Sequence, residues 1–233
     1  MEDLIPNGIS ESLENYIQGE IIPRYDSFDP AHRRDHVQKV IEQSLDLAEY
    51  YDVDTEMVYV IAAYHDIGLS VDRKTHHLVS GQMLLLDEFI KGYFSPSQIQ
   101  IMAEAIEDHR ASAKSEPRTI YGKIIAEADR QIIPEVIIRR TIQYGLANYS
   151  ELDKEGHWER TWSHLQEKYA RGGYLKLWIP ISQNAKSLAK FQTILDNKDE
   201  VKQLFNSIFD ECKKPLQADA EARNEKRKSP IEP

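Results

Sequence analysis

The chain has 233 residues, of which 41% are hydrophobic and 29% charged, and its formal net charge is −10. These proportions are typical of a globular protein that forms one large domain or a domain with a helical appendage. The acidic balance argues against a nucleic-acid polymer or an anionic membrane surface as a partner. No apolar run approaches the ~20 residues that a membrane-spanning helix needs.

The two ends of the chain favour a cytoplasmic protein. The first residues, MEDLIPNGIS, are acidic and lack the basic and apolar regions of a signal peptide. The single cysteine, Cys212, cannot form an internal disulfide, and no histidine near it in the sequence would activate its thiol. We therefore expect Cys212 to be chemically idle.

The N-terminal part of the chain predicts two helices. Residues 10–22 place apolar side chains at helical spacing, and Pro23 is predicted to end this helix. Asp29 followed by Pro30 has the pattern of an N-cap with proline in the first turn, which predicts the start of the next helix. On that helix His36 falls on the apolar face and points inward.

Residues 55–67 are apolar nearly all round, which predicts a central buried helix. This helix ends in His65 and Asp66, and Gly68 is predicted as its C-cap. Neighbouring helical side chains point about 100° apart, so this pair converges on one point only if it lies at the helix end. Burying the pair requires a strong partner, and we predict a metal ion.

Three further segments complete the first 130 residues. A helix is predicted over 76–91, closed by Gly92. Ser95 to Gln98 have the pattern of a capping box with proline in the first turn, and the helix that they open carries His109 at the end of its apolar stripe. The following helix has Asp129 on its inner face, where a carboxylate needs a partner.

The rest of the chain predicts more helices and an unstructured end. Amphipathic spacing predicts helices over 135–147, 158–171 and 183–211, and GGYLKLWIP between the last two is a short apolar loop or strand. The aromatic stripe that begins at Trp158 is expected to be core rather than a base-stacking platform. The predicted organisation is an N-terminal helix over 1–28, a core over 29–135, a helical extension over 136–212 packed on that core, and a disordered tail over 213–233.

The residues that carry chemistry lie in four short fragments, RRDHVQKV, AYHDIG, EDHR and AEADR. They supply His36, the pair His65 and Asp66, then His109 and Asp129. Imidazoles and carboxylates that converge from different helices form a mixed nitrogen and oxygen site for Mn²⁺, Fe²⁺, Co²⁺, Ni²⁺ or Zn²⁺. Such an ion polarises phosphoryl oxygens and lowers the pKa of a bound water toward ~7.

This ordered pattern, H…HD…D on helices, resembles the HD-domain superfamily of metal-dependent phosphohydrolases over roughly residues 30–135. The resemblance implies an all-α HD-domain helical bundle with additional C-terminal helices. It implies an enzyme of the phosphodiesterase or nucleotide pyrophosphohydrolase type that cleaves a phosphoester or phosphoanhydride bond in a small substrate, for which we expect a nucleotide. It also implies metal ligation by His36, His65, Asp66 and Asp129.

The number of ions depends on two further histidines, which two-metal members of the superfamily have after the HD pair. Aligning Ser80-Gly81 with the small-residue pair of those members selects His76, with His77 as the alternative, and His109 is the second. With two ions, Asp66 bridges them and a hydroxide between them is the nucleophile.

With one ion, His76 or His109 contacts the phosphate or acts as a general acid. Asp66 and His109 are therefore the predicted catalytic residues, and one or two ions per chain stay open.

Basic residues recur beside these motifs, and a locally basic pocket in an acidic protein suits a small phosphorylated substrate. The predicted substrate-binding residues are Arg73, Lys74, Arg110 and Arg130. His32, one turn before His36, is expected to cap or to lie at the surface. A homodimer is left open.

Two other functions are compatible with the same residues. Some HD relatives use a mixed-valent di-iron site with all six ligands to oxygenate an alcohol-bearing carbon. A nucleotide-sensing module that binds without turnover is the second alternative, although a pure sensor does not need an open metal position.

Overall fold

The computed structural model describes residues 8–29, 32–110 and 115–228, with side chains as far as Lys213, and this part of the chain contains helices and loops but no strand. The predicted all-α fold is confirmed. The α-helices are α1 (Glu11–Tyr16), α2 (Arg34–Ala48), α3 (Thr55–Tyr64), α4 (His76–Leu86), α5 (Glu88–Tyr93), α6 (Pro96–Asp108), α7 (Ile120–Ala128), α8 (Pro134–Asn148), α9 (Lys154–Tyr169), α10 (Gln183–Leu195) and α11 (Lys198–Lys228). A π-helical turn (Ile17–Ile21) and two 3₁₀ helices (Ile22–Ser27 and Ile67–Ser70) complete the secondary structure.

The chain divides into two compact units, each with its own hydrophobic core. The first contains the residues up to 131 together with 176–185, and the second contains 132–175 and the residues from 186 onward. The first boundary lies near the predicted end of the core at residue 135. None of the described helices is both long enough and apolar enough to cross a membrane.

The N-terminal segment is part of the first unit and not an appendage to it. Its helical run continues from Glu11 to Ser27, passing through the π-helical turn and then the 3₁₀ helix. Pro23 therefore does not end the run, because it occupies the first turn of the 3₁₀ helix, where a proline needs no N–H. Leu13 and Tyr25 are fully buried in the same core as α3.

Helix α2 begins later than Asp29 predicted. Its first residue is Arg34 and its N-cap is Arg33, which has an extended backbone, whereas Pro30 lies outside the described residues. The Asp29 carboxylate does not cap a helix. It pairs with Nδ1 of His32 at 2.9 Å and with Arg73 at 2.7 Å.

Helix α3 is buried from Met57 to Tyr64, as its apolar sequence predicts, and the chain then turns into the short 3₁₀ helix. Gly68 lies inside that 3₁₀ helix and is not a C-cap with positive φ. A Cβ at this position would lie 2.3 Å from the carbonyl oxygen of His76 and 2.8 Å from the N–H nitrogen of Ser80. Gly68 is required because the backbone of α4 approaches closely here.

The predicted helix over 76–91 is interrupted at Asp87. The side chain of Asp87 accepts hydrogen bonds from the N–H groups of Phe89 and Ile90 and so caps α5, while its other oxygen accepts from the hydroxyls of Tyr16 and Tyr64. Four hydrogen bonds to one carboxylate explain the break. The capping box predicted at the start of α6 is present.

Residues 176–185 return to the first unit after α9. The carboxylate of Glu127 on α7 is fully buried, and it accepts hydrogen bonds from the Ser182 hydroxyl and from the backbone N–H of Trp178 at 2.9 Å. Ile179 packs into the core of the first unit. The sequence assigned this segment to the C-terminal extension, since nothing in it indicates that a buried carboxylate far away in the chain receives it.

In the second unit, α8 packs against both α9 and α11. Trp158 is buried between these helices and contacts the ring of Phe205, so the aromatic stripe of α9 is core, as predicted. The segment GGYLKLWIP contains no strand.

The end of the second unit differs from the sequence prediction in two places. The predicted helix over 183–211 is broken between Leu195 and Lys198. Helix α11 then continues to Lys228, which differs from the disorder predicted over 213–233. The composition of that segment is rich in alanine, glutamate, lysine and arginine, which favour helical backbone without an apolar face.

Replacing Glu127 by alanine is expected to lower the free energy of unfolding of the first unit by about 2–4 kcal/mol, because two buried donors lose their acceptor. Thermal unfolding followed by circular dichroism measures this effect. The control is Glu88→Ala, which removes an exposed carboxylate paired with Lys91 and should change stability by less than about 0.5 kcal/mol. Equal melting temperatures for the two variants would contradict the buried role of Glu127.

Candidate metal centre

The six predicted ligands all lie at helix ends that meet inside the first unit. They are His36 in the first turn of α2, His65 and Asp66 directly after α3, His76 at the start of α4, His109 at the C-cap of α6 and Asp129 at the C-cap of α7. Residues beyond a helix end do not have to keep the 100° separation between neighbouring helical side chains. The adjacent side chains of His65 and Asp66 can therefore point to the same site.

Asp66 is the centre of the arrangement and is 3% exposed. One group of potential ligand atoms belongs to His36, His65 and Asp66, and a second belongs to Asp66, His76 and His109, with the atoms of each group within 4.8 Å of one another. One oxygen of Asp66 lies 3.3 Å from Nε2 of His65, and the other lies 3.3 Å from Nε2 of His76. The two oxygens of one carboxylate therefore face two separate sets of imidazoles.

Asp129 approaches the first of these groups from α7. Its Oδ1 lies 3.2 Å from Nε2 of His36 and 3.8 Å from Nε2 of His65. The first group thus has two imidazoles between two carboxylates. This is the ligand set His36, His65, Asp66 and Asp129 that the motifs predicted, brought together by α2, α3 and α7.

The orientation of three imidazoles follows one rule. Nδ1 of His65, His76 and His109 lies 2.6–2.9 Å from the carbonyl oxygen three residues earlier in the chain. A carbonyl only accepts, so each Nδ1 carries the proton and each Nε2 presents a lone pair to the site. This is the tautomer that binds a metal ion.

The donor set fits a divalent transition metal. Nε2 of His65 is fully buried and has no hydrogen-bond partner of good geometry among the described residues. Nε2 of His76 and Nε2 of His109 lie 3.2 Å apart, although both nitrogens present lone pairs when their Nδ1 atoms donate. A proton or a cation between the two nitrogens relieves the repulsion between their lone pairs. The divalent ions of Mn, Fe, Co, Ni and Zn are the ones that bind to imidazole together with carboxylate.

The charges of the site are strongly coupled. Burial by itself raises the pKa of the Asp66 carboxyl, but His65 and His109 outweigh burial and hold that pKa well below its usual range. Burial by itself lowers the pKa of His65, and the facing carboxylate of Asp66 outweighs it and raises that pKa. Burial lowers the pKa of His76. Asp66 is therefore ionised, and His65 binds a proton more tightly than an unperturbed imidazole does.

His76 and His77 take different positions. Nε2 of His76 lies 3.3 Å from Asp66, whereas His77 belongs to neither group of ligand atoms. Nδ1 of His77 is buried without a hydrogen-bond partner, and burial, followed by the charges of His109 and His76, lowers its pKa to about 4. The geometry agrees with the register set by Ser80-Gly81.

The four predicted substrate-binding residues differ in exposure. Arg73 is 68% exposed and pairs with Asp29, while Arg110 donates to the backbone carbonyl of Lys74 at 2.9 Å. These three basic residues lie beside His76 and His109 in the chain. Arg130 is instead buried, and it donates to the backbone carbonyl of Ala126.

A further side chain at the centre was missed by the sequence analysis. Tyr25 is fully buried, its hydroxyl donates to the carbonyl of Ala63, and the N–H of Asp66 donates to the same hydroxyl at 3.3 Å. Burial and the charge of Asp66 raise the pKa of Tyr25 well above its usual value, so the hydroxyl keeps its proton. No motif marks this tyrosine, because its role depends on a contact between distant segments.

The affinity of the centre for Mn²⁺ is expected to fall as the solution is acidified from about pH 7 to about pH 5.5, by roughly ten-fold per pH unit for each proton that the metal must displace. The raised pKa of His65 sets the sign, because a proton held more tightly on this imidazole must be displaced before its nitrogen binds the metal. Calorimetric titration with Mn²⁺ across this range measures the effect. An affinity that does not change with pH would show that the imidazoles are not ligands.

Residues 33–131 match the family model described as the HD domain. This segment contains all six predicted ligands and excludes Tyr25 and residues 176–185. A search of the curated proteins and a search of the solved structures each gave no significant match. Residues 33–131 therefore match the HD domain, as the motifs predicted.

Proposed function

We propose that this protein, whose residues 33–131 match the HD domain, is a metal-dependent phosphohydrolase that cleaves a phosphoester or phosphoanhydride bond in a small nucleotide. The observation that carries the proposal is the buried carboxylate of Asp66, whose two oxygens face two separate imidazole groups. Metal-dependent phosphohydrolases make up most of this family, which agrees with the site. We further propose two ions per chain, because each Asp66 oxygen has its own pair of histidines.

The residues of the site have separate tasks in this proposal. A divalent ion bound here supplies a Lewis acid for phosphoryl oxygens and lowers the pKa of a water molecule. His36 and Asp129 close one side of the centre, and His76 and His109 close the other. Asp66 links the sides. The buried part of α3, from Met57 to Tyr64, surrounds one side of the centre with apolar residues.

A cavity of about 340 Å³ in the first unit supports a small substrate. It is lined by Ser27, Phe28, Asp29, Leu69, Ser70 and Arg73. Ser27, Phe28 and Asp29 form one wall of the cavity and precede the proposed ligand His36 in the chain. Leu69, Ser70 and Arg73 form the other wall and lie between the proposed ligands Asp66 and His76 in the chain. The volume is at the lower end of the range for small-molecule sites, about 300–1,000 Å³, which suits a mononucleotide portion rather than a polymer.

Arg73 is the basic residue best placed to meet a substrate phosphate from this cavity. Its ion pair with Asp29 is well exposed, at 68% and 41% for the two side chains, and exposed pairs contribute little stability. A phosphate group can therefore replace Asp29 as the partner of Arg73 at small cost. Lys74 and Arg110 add positive charge at the same edge, whereas Arg130, being buried, contributes to the support of the centre in this proposal.

The first test combines metal analysis with a phosphate-release screen across nucleotides, using the full chain purified without chelators. Asp66→Ala should abolish both metal content and turnover while leaving the helical circular-dichroism spectrum, because it removes the carboxylate shared by both groups. Retention of more than about a tenth of the wild-type rate would contradict the proposal.

The second test counts the ions with single substitutions. His76→Ala and His109→Ala should each lower the bound metal from about two to about one per chain and reduce the rate by orders of magnitude. His77→Ala is the matched control, because its side chain neighbours His76 but belongs to neither group. A stoichiometry that stays near one, with a loss of about 10²- to 10⁴-fold, identifies a single ion with His76 or His109 as general acid or phosphate ligand.

The same protein preparations separate the two alternative functions. Two iron atoms per chain with O₂ uptake and no phosphate release would identify an oxygenase, since all six ligands that such enzymes need lie together here. Nucleotide binding without O₂ uptake or phosphate release would identify a sensing module.

A further inference from the structure

The end of α3 contains a local rearrangement of hydrogen bonds. In an uninterrupted helix the N–H of Asp66 would donate to the carbonyl of Ala62, and the N–H of Ile67 would donate to the carbonyl of Ala63. Here Nδ1 of His65 occupies the carbonyl of Ala62 at 2.8 Å, and the hydroxyl of Tyr25 occupies the carbonyl of Ala63 at 2.9 Å. Side chains have replaced both backbone donors.

The hydroxyl of Tyr25 also takes up the N–H that this rearrangement releases. The N–H of Asp66 donates to it at 3.3 Å, so one hydroxyl bridges the last turn of α3 and the residue after it. Asp66 then adopts φ −114° and ψ 2°, outside the helical range, while His65 remains helical. The non-helical backbone of Asp66 lets the side chains of His65 and Asp66 meet. Nε2 of His65 lies 3.3 Å from an Asp66 oxygen.

The ring of Tyr25 is held from the N-terminal side of the chain. It lies on the 3₁₀ helix Ile22–Ser27, is fully buried, and packs edge-on against Phe28 with ring centroids 5.2 Å apart. Its centroid is 6.3 Å from that of His65. A buried hydroxyl on a fixed ring provides a hydrogen-bond partner that water cannot replace without opening the core.

We propose that Tyr25 is a positioning residue of the metal centre, which it completes from outside the HD-domain segment by fixing the backbone turn that aims Asp66 at both imidazole groups. Tyr25 acts through Asp66 and contacts neither substrate nor metal. The N-terminal 3₁₀ helix is consequently part of the site. This inference rests on the proposed metal-binding function.

The test compares two tyrosine-to-phenylalanine variants of the full chain. Tyr25→Phe keeps the buried ring and removes the bridge, and its affinity for Mn²⁺ should fall by about 10- to 100-fold, as is usual when a group that orients a ligand is lost. Tyr59→Phe is the matched control: Tyr59 is also buried in the first unit, but its hydroxyl accepts from the side chain of Gln18 at 3.1 Å. Its Mn²⁺ affinity should stay within roughly two-fold of wild type.

Both variants are measured by calorimetric titration, with melting temperatures recorded in parallel. An affinity of Tyr25→Phe equal to that of Tyr59→Phe would overturn the inference, and so would an equal loss in both variants, which would indicate a general effect of a lost buried hydroxyl.

A second measurement needs no variant and applies even if Tyr25→Phe does not fold. Linkage requires that metal binding strengthen the hydrogen bond that prepares the site, so Zn²⁺ should slow hydrogen exchange at the Asp66 amide of the wild-type protein. Unchanged exchange at this amide in the Zn²⁺-loaded protein would overturn the inference.

The experiments distinguish a failure of the hydrolase proposal from a failure of the proposed role of Tyr25. Metal binding by the wild-type protein without phosphate release removes the proposed reaction and leaves the role of Tyr25 standing. A wild-type protein that binds neither Mn²⁺ nor Zn²⁺ overturns both.

Discussion

The burial of one ionised carboxylate, that of Asp66, determines how the first unit is arranged around it. Removing a carboxylate from water costs several kcal/mol unless opposite charge and hydrogen-bond donors surround it. The apolar helix α3 carries Asp66 into the core, and His36, His65, His76 and His109 meet it there. Protons on the imidazoles and bound metal ions are alternative sources of the compensating charge, so metal binding and proton release are coupled at this site.

Three helices end at the centre, and their ends help to build it. The C-terminal ends of α3, α6 and α7 carry carbonyl groups without helical partners and the negative end of the helix dipole. Two of those carbonyls, on Ala62 and Ile106, accept the Nδ1 protons of His65 and His109. The groups that a helix end leaves unpaired thus orient the side chains of His65 and His109.

Local patterns in the sequence predicted the parts of the fold that depend on neighbouring residues. The capping box at Ser95, the buried character of α3 and the inward position of Asp129 all follow from spacing within one helix. Five of the six predicted ligands could be named because each falls on or next to an apolar stripe. His76 was selected from the family resemblance, which also implied that all six meet at one site.

Spacing within one helix cannot predict contacts between distant segments of the chain. The break at Asp87 depends on the hydroxyls of Tyr16 and Tyr64, and the return of residues 176–185 depends on the buried carboxylate of Glu127. Tyr25 was read only as a member of an N-terminal segment, because its partners at the end of α3 are about 40 positions away in the chain. Each case is a polar group whose partner can be identified only in three dimensions.

Gly68, two residues after Asp66, allows the start of α4 to approach the residues that follow α3. With no side chain at position 68, the carbonyl of His76 can approach to a distance that even a methyl group would forbid. That approach brings the start of α4 against the 3₁₀ helix, so His76 reaches Asp66 across a short connection and its ring lies 5.2 Å from that of His109. The approach of His76 to Asp66 therefore depends on an empty volume the size of one carbon atom at position 68, and any larger residue there would push the start of α4 away from the 3₁₀ helix.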